Sequence, residues 1–355
     1  MKRVVHVVSS LEIGGAERLV VDLACAQQRA GLVAWIVDLG RDDRPLAEAA
    51  RSLGVRVIRA GRLRSRFARS AVLAGLLAGR DHAVHVHNPG ALRAVLPILP
   101  ALRGRVIYTR HGANPYNSRA WRLVHRLARR FVDRITFVTE EARGSFEATH
   151  GSSSRHHVVI ENGVAVPGAV PCRSRLVPLR IGSVGRLVEL KGQRLVLEAI
   201  AALPPDQRAR VEMHLFGDGP ERDRLADHAL VSLSDVAVVF HGTVLDRESI
   251  YAAIDVLAVG SRTEGQSMAI MEAMARGVPV IATNVGGNAQ LVRDGETGVL
   301  VPPGDPTAIR DAIARMLADP DLVIQFGHAS HALIGANHSI DAVAARFHAL
   351  YSGRA

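Results

Sequence analysis

Short runs of β-branched residues alternate along this chain with longer stretches rich in Ala, Leu and Arg. The first run, 3–9 (RVVHVVS), shows no polar alternation, as expected of a strand buried on both faces. A glycine turn follows it, then a helix from about Glu17 to Arg29. Further runs of this kind fall at 33–38, 55–59, 83–87, 105–110, 134–138 and 157–160, with helical stretches between them. Such alternation predicts βαβ units and a parallel sheet. At 163–179 the text becomes GVAVPGAVPCRSRLVPL, where three prolines and two glycines erase every period, which predicts a linker. The alternation restarts with runs at 180–184, 211–216, 236–241, 254–259, 278–282 and 297–301, and a last helix covers about 339–351. The pattern predicts an α/β chain of two consecutive doubly wound domains, with ligands at the carboxyl ends of the strands.

Composition narrows the class of protein. The 355 residues suit two domains, and 48% hydrophobic with 22% charged residues argues against disorder. Cys25 and Cys172 form no CxxC pair, so neither a disulfide framework nor a zinc site is expected. No apolar stretch approaches the roughly 20 residues of a spanning helix. The apolar run 4–8 is too short for a signal-peptide core. A soluble, cytoplasmic protein is expected. Charge is uneven: residues 1–170 hold 26 Lys+Arg against 13 Asp+Glu, and the remainder 18 against 21. The basic first half is expected to meet an anionic surface or ligand. Only two basic residues are lysines, Lys2 and Lys191, which singles out the internal one.

Four segments carry candidate chemistry. Gly14-Gly15-Ala16-Glu17 opens the first helix, where backbone N–H groups and the helix dipole favour an anion; an ordinary turn is the plain alternative. Gly185-Arg186 and Lys191-Gly192 take the equivalent place in the second half. An Arg and a Lys straddling a strand–helix junction can grip a diphosphate from both sides, though a solvated basic turn would look the same. In Glu264-Gly265-Gln266-Ser267-Met268-Ala269-Ile270-Met271-Glu272, Gly265 suits a tight loop and Ser267 an N-cap, with a helix over 268–276 starting at Met268. One carboxylate, Glu264, would reach a sugar hydroxyl and the other, Glu272, a ribose; alternatively both are solvated surface residues. His111 follows run 105–110, at a carboxyl end where it could donate a hydrogen bond or move a proton. The other histidines, His85/His87 and His156/His157 among them, are read as structural. No HExxH is present, and no bound metal is expected.

In this order the segments resemble the family 4 glycosyltransferases, retaining enzymes of the GT-B fold. The resemblance covers nearly the whole chain. It also includes Thr109-Arg110-His111-Gly112, Asn162-Gly163-Val164, Gly217-Asp218-Gly219-Pro220, Val285-Gly286-Gly287, and Thr297-Gly298 with Pro303-Gly304-Asp305-Pro306. It implies two Rossmann-like domains facing a cleft: an acceptor domain over 1–165 and a nucleotide-sugar donor domain over 175–335, with helix 339–355 packing back on the first. By position, Arg186 and Lys191 would bind the donor diphosphate, Glu272 the ribose and Glu264 sugar hydroxyls. His111 would lie beside the transferred sugar. Gly14 and Gly15 would let a loop close, and Gly217, Ser267 and Met268 would complete the donor contacts. Ser267 stands where Pro is frequent, and Gln290 where Glu often follows the Gly-Gly turn. The implied reaction transfers a hexose-type sugar from UDP, ahead of GDP, to a glycan, lipid-linked or small-molecule acceptor, in polysaccharide or glycoconjugate synthesis. It needs no metal and no cofactor beyond the nucleotide sugar as co-substrate.

Two other classes compete. A basic domain can bind nucleic acid, but 4% aromatic residues leave little for base stacking, and no nucleic-acid partner is expected. A non-catalytic sugar-nucleotide or anionic-polymer binder on the same fold would be expected to have lost Glu264, Arg186 or Lys191. The arginine-rich segments 62–80 and 119–134 suggest peripheral contact with an anionic membrane at the inner face of the cell. In the second of them Trp121, Val124, Leu127, Ala128 and Phe131 form the expected apolar face.

Overall fold

Within each sheet, successive strands are joined through a helix that carries the chain back, so neighbouring strands run parallel. The computed structural model describes residues 2–42, 44–61, 66–79, 81–112, 116, 118–150, 156–170 and 177–353. The chain divides into two units: Met1–Gly163 with Ile340–Ala355, and Val164–Ser339.

The first unit holds strands β1 (Arg3–Val8), β2 (Val33–Asp38), β3 (Arg56–Arg59), β4 (His82–His87), β5 (Arg105–Arg110), β6 (Arg134–Phe137) and β7 (His157–Val159). Their order is β3-β2-β1-β4-β5-β6-β7. From β1 the chain builds one wing and then returns to β4 on the other side, so the switch point lies between β1 and β4. Val4, Val5, Val7 and Val8 are buried, which explains why the run 3–9 lacked alternation. The last helix, Ile340–Ser352, belongs to this unit and packs on the helix Gly15–Arg29, burying Phe347, Leu350 and Tyr351.

The two arginine-rich segments differ in how their apolar faces are placed. In 62–80 the helix Arg66–Leu77 sends Leu73 and Leu77 into the core, each burial stabilising by about 1.5–3 kcal/mol. Its basic start at 62–65 and Arg80 lie outside the described residues. Along the helix Arg119–Ala128 the buried stripe is Val124 in part, His125 and Ala128, continued by Val132. Leu127 and Phe131, expected inside, are 40% and 42% exposed, and Leu123 is 53% exposed. His125 lies in the buried stripe, with its Nε2 3.4 Å from the Tyr108 hydroxyl of β5 and its Nδ1 donating to Trp121 O, one turn back in the same helix, at 2.9 Å.

The second unit holds β8 (Leu179–Val184), β9 (Val211–Phe216), β10 (Ala237–Gly242), β11 (Val256–Val259), β12 (Val280–Thr283) and β13 (Gly298–Val301) in the order β10-β9-β8-β11-β12-β13. Its switch point lies between β8 and β11. Its core is closed by the helices Gln193–Ala201 and Pro306–Ala318, which bury Val196, Leu197, Ile200, Ile309, Ile313 and Met316. Part of the expected linker is built into this unit. Val164 pairs with Ser339 and donates to His338 O at 2.9 Å, and Val170 packs against Gly277. Residues 171–176, Cys172 among them, lie outside the described residues.

Candidate functional site

In the second unit the residues singled out by the sequence gather at the carboxyl ends of β8, β9, β11 and β12. Close backbone packing puts them there. Gly217 has φ +130°, and a side chain on it would run into the Gly185 carbonyl, so the turns after β8 and β9 lie against each other. Gly192 has φ +63° and touches Gly260, the residue after β11. The loop after β8 is thereby pressed against the loop after β11, across the switch point.

Lys191 and Glu264 meet at that junction. Lys191 Nζ donates to Glu264 Oε1 at 2.6 Å, and Ser261 Oγ donates to the same oxygen at 2.7 Å. Arg186 is exposed, and its guanidinium has no partner among the described residues; its carbonyl is held by Gln193 Nε2 at 3.1 Å. The expected Arg–Lys pair is therefore a free guanidinium and an ammonium already engaged by a carboxylate. Ser267 occupies the N-cap position, but its side chain makes no capping bond. The helix runs Met268–Met274, two residues short of the expected end, because Gly277 at φ +67° turns the chain away. Met268 is buried at its start.

Glu272 is not a solvated helix residue. It is buried, and a buried carboxylate needs partners. The Tyr251 hydroxyl, 3.0 Å from Oε2, supplies one, and Arg247 Nε stands 3.6 Å from Oε1. Oε1 itself has no hydrogen-bond partner among the described residues. Tyr251, Arg247 and Ser261 were missed in the sequence. Only Ser261, three residues before Glu264, had a local signal. The chain's one Asp-x-Asp triplet, Asp319-Pro320-Asp321, opens a helix: Asp319 accepts from Leu322 N as its N-cap.

In the first unit Gly14 is the N-cap of the helix Gly15–Arg29 and has extended backbone. Glu17 folds back over this helix start and bonds its own backbone N–H; burial raises its carboxyl pKa against that bond. The position expected for an external anion is thus covered by a carboxylate of the chain. At the switch point Asn88 Nδ2 donates to Ser9 Oγ at 2.9 Å. A pocket beside it is lined by Ser9, Leu39, Ser70, Gly90, Arg93 and Pro97 among others.

His111 follows β5, with Nε2 2.9 Å from His87 Nδ1 and the two rings stacked. Burial lowers its pKa to about 4, so the ring is neutral at pH 7. His85 and His87, read as structural, belong to a buried cluster. β1 lies beside β4 with His6 opposite His85, and nitrogens of His6, His85 and His87 come within 4.8 Å of one another. The sequence carried no signal for this, because His6 and His87 are 81 positions apart. His157 is held by Glu147 Oε1 at 2.8 Å, a structural contact.

Two family profiles match the chain in tandem, "Glycosyltransferase Family 4" over 13–166 and "Glycosyl transferases group 1" over 178–319. The chain belongs to the family 4 glycosyltransferases. A lipopolysaccharide core biosynthesis glycosyltransferase of Rhizobium meliloti is 36% identical over 163 residues, covering 45% of this chain and 46% of that protein. A D-inositol 3-phosphate glycosyltransferase of Corynebacterium urealyticum is 39% identical over 149 residues, covering 40% and 35%. This family member spans less than half the length of these curated relatives. Among solved structures, Anabaena HepE in complex with UDP and glucose superposes with a TM-score of 0.84 at 21% identity, covering 99% of this chain and all of that one. Sucrose-phosphate synthase from Thermosynechococcus elongatus gives 0.81 at 21% identity, covering 99% of each. The fold is that of the GT-B glycosyltransferases.

Proposed function

We propose that this family member is a retaining, metal-independent hexosyltransferase. Its donor is a nucleoside diphosphate sugar, UDP- ahead of GDP-. Its acceptor is a glycan, a lipid-linked glycan or a small molecule, in polysaccharide or glycoconjugate synthesis. The observation that carries the reading is the Lys191–Glu264 pair across the β8/β11 switch point, with the unpaired Arg186 guanidinium on the same loop. Lys191 has three N–H donors, so it can keep Glu264 and still donate to a phosphate. Arg186 and Lys191 would then stabilise the charge that develops on the departing diphosphate. Glu264 would accept from sugar hydroxyls. The unfilled Oε1 of Glu272 would accept from a ribose hydroxyl, with Gly217, Ser267 and Met268 around the donor. Retention follows if the acceptor attacks on the face the diphosphate leaves: the new glycosidic bond forms as the sugar–phosphate bond breaks, and a phosphate oxygen takes the acceptor proton. The UDP-bound neighbour and the lipopolysaccharide and inositol relatives support the donor and acceptor classes.

The first unit would hold the acceptor and the second the donor. The exposed row Leu123, Leu127 and Phe131, among the exposed Arg119, Arg122, Arg126, Arg129 and Arg130, supports peripheral contact with an anionic leaflet on the cytoplasmic side. The deciding experiment is a thermal-shift panel of UDP-, GDP- and ADP-sugars, followed by NMR of the product anomer with and without EDTA. A UDP-sugar should stabilise the protein, and the product should keep the donor's configuration in EDTA. An inverted product, loss of turnover in EDTA, or no response to any nucleotide sugar would overturn the reading.

A further inference from the structure

A chain of buried polar side chains in the first unit ends on His111, and its proton positions follow link by link. Gln27 Oε1, which can only accept, lies 2.7 Å from His6 Nε2. His6 therefore carries its proton on Nε2 and presents Nδ1 as a lone pair. His87 Nε2, 2.9 Å from that lone pair, must donate to it, which leaves His87 Nδ1 bare. His111 Nε2, 2.9 Å from His87 Nδ1, must donate in turn. A neutral His111 then has no proton for Nδ1, a buried atom with no hydrogen-bond partner among the described residues.

The other arm is satisfied by the same orientation of the amide. Gln27 Nε2 donates to the Tyr351 hydroxyl at 3.1 Å, with the oxygen of Gln27 facing His6. Tyr351 passes its own proton to His85 Nδ1 at 2.8 Å, and His85 Nε2 donates to Thr109 Oγ1 at 2.6 Å. Burial keeps the rings neutral: the pKa of His6 and of His111 falls to about 4, and those of His85 and His87 lie well below the usual histidine range.

We propose that His6, His87, Gln27 and Tyr351 are positioning residues that hold His111 in its Nε2–H tautomer, so that its Nδ1 meets a ligand as a hydrogen-bond acceptor. A bare lone pair suits a hydrogen-bond donor and disfavours a phosphate or carboxylate; among the groups of a sugar or acceptor that donor is a hydroxyl. That the hydroxyl is one of a sugar or acceptor rests on the function proposed above; the tautomer does not. A metal on His6, His85 and His87 is the competing use of the cluster. All six of their ring nitrogens already have partners, and a metal would have to displace the protons that link the chain.

The test is long-range proton–nitrogen NMR on the full chain labelled with 15N-histidine, with His111 assigned from the spectrum of His111→Gln. The expected spectrum shows His111 protonated at Nε2 and bare at Nδ1. Protonation at Nδ1 would overturn the proposal. Gln27→Met, which removes both ends of the amide, should convert His111 to a mixture of tautomers, three links along the chain. Gln27→Glu keeps an acceptor toward His6 and should preserve the single tautomer even where the methionine variant does not fold. An unchanged His111 in Gln27→Met, or a lost tautomer in Gln27→Glu, would refute the positioning role. Added Zn²⁺ should leave the His6, His85 and His87 signals in place; their collapse on one equivalent would favour a metal site and overturn the relay. The expected tautomers in a protein that binds no nucleotide sugar would remove the proposed function alone.

Discussion

Lys191→Ala removes the ammonium 2.6 Å from Glu264. The Lys191 side chain is 35% exposed and that of Glu264 9%, so the pair lies between the exposed and the buried case. Exposed pairs contribute about 0.2–1 kcal/mol, and breaking a buried one costs about 3–5 kcal/mol. Solvent screening of the lysine brings the expected loss to about 1–2 kcal/mol, because Glu264 keeps only the Ser261 hydroxyl on that oxygen. For a unit of this size that corresponds to roughly 2–8 °C in Tm. Calorimetry on Lys191→Ala, Glu264→Gln and the double variant should give a coupling energy of about 1 kcal/mol, smaller at high salt. UDP affinity provides a second axis. A lost charge-assisted bond to phosphate, about 1.5–3 kcal/mol, should weaken UDP binding roughly 10- to 150-fold by titration calorimetry at fixed salt. Strict additivity in the cycle together with an unchanged UDP Kd would refute both the ion pair's contribution and its place in the donor site.

Two further outcomes are expected. His6, His111 and His125 titrate near 4 when folded, because burial disfavours their charged forms, and near 6.5 when unfolded. Between those values the unfolded chain binds more protons, so stability is full above about pH 6.5 and falls toward pH 4, by about 1.4 kcal/mol per pH unit for each histidine. Urea titrations from pH 7.5 to 5 should show the midpoint falling, and a flat profile would show that these rings are not buried as neutral groups. The arginine-flanked row Leu123, Leu127 and Phe131 should make the protein cosediment with anionic vesicles and not with neutral ones, with binding lost at high salt. Failure on both vesicle types at low salt would point to a soluble acceptor.

Most strands were legible because a parallel strand buried on both faces writes a local run of β-branched residues, as at 3–9 and 211–216. The loop residues Arg186, Lys191 and Glu264 were legible for a related reason: the doubly wound pattern itself says where strand ends converge. What escaped depends on partners distant in sequence. The buried face of the helix Arg119–Ala128 runs through His125, whose partner Tyr108 lies on β5 and leaves no mark in the helix's own period. That Glu272 is buried, with Tyr251 against it, depends on a partner 21 positions away. The histidine cluster arises only because β1 and β4 are neighbours at the switch point, and no spacing along the chain announces that.

The return of the last helix to the first unit has a consequence for biosynthesis. On the ribosome, β1 and the helix Gly15–Arg29 emerge early, but Phe347 and Tyr351, which complete their cover, are translated only after all of Val164–Ser339. At about 5–20 residues per second the nascent first unit waits roughly 10–35 s with that apolar flank open. The second unit faces no such delay, since Val164 and Ser339 pair side by side and its ends are joined locally. It is arranged like an insertion within a split host. A chaperone acting during synthesis would thus find its target on the helix Gly15–Arg29, and would release it when the final helix arrives.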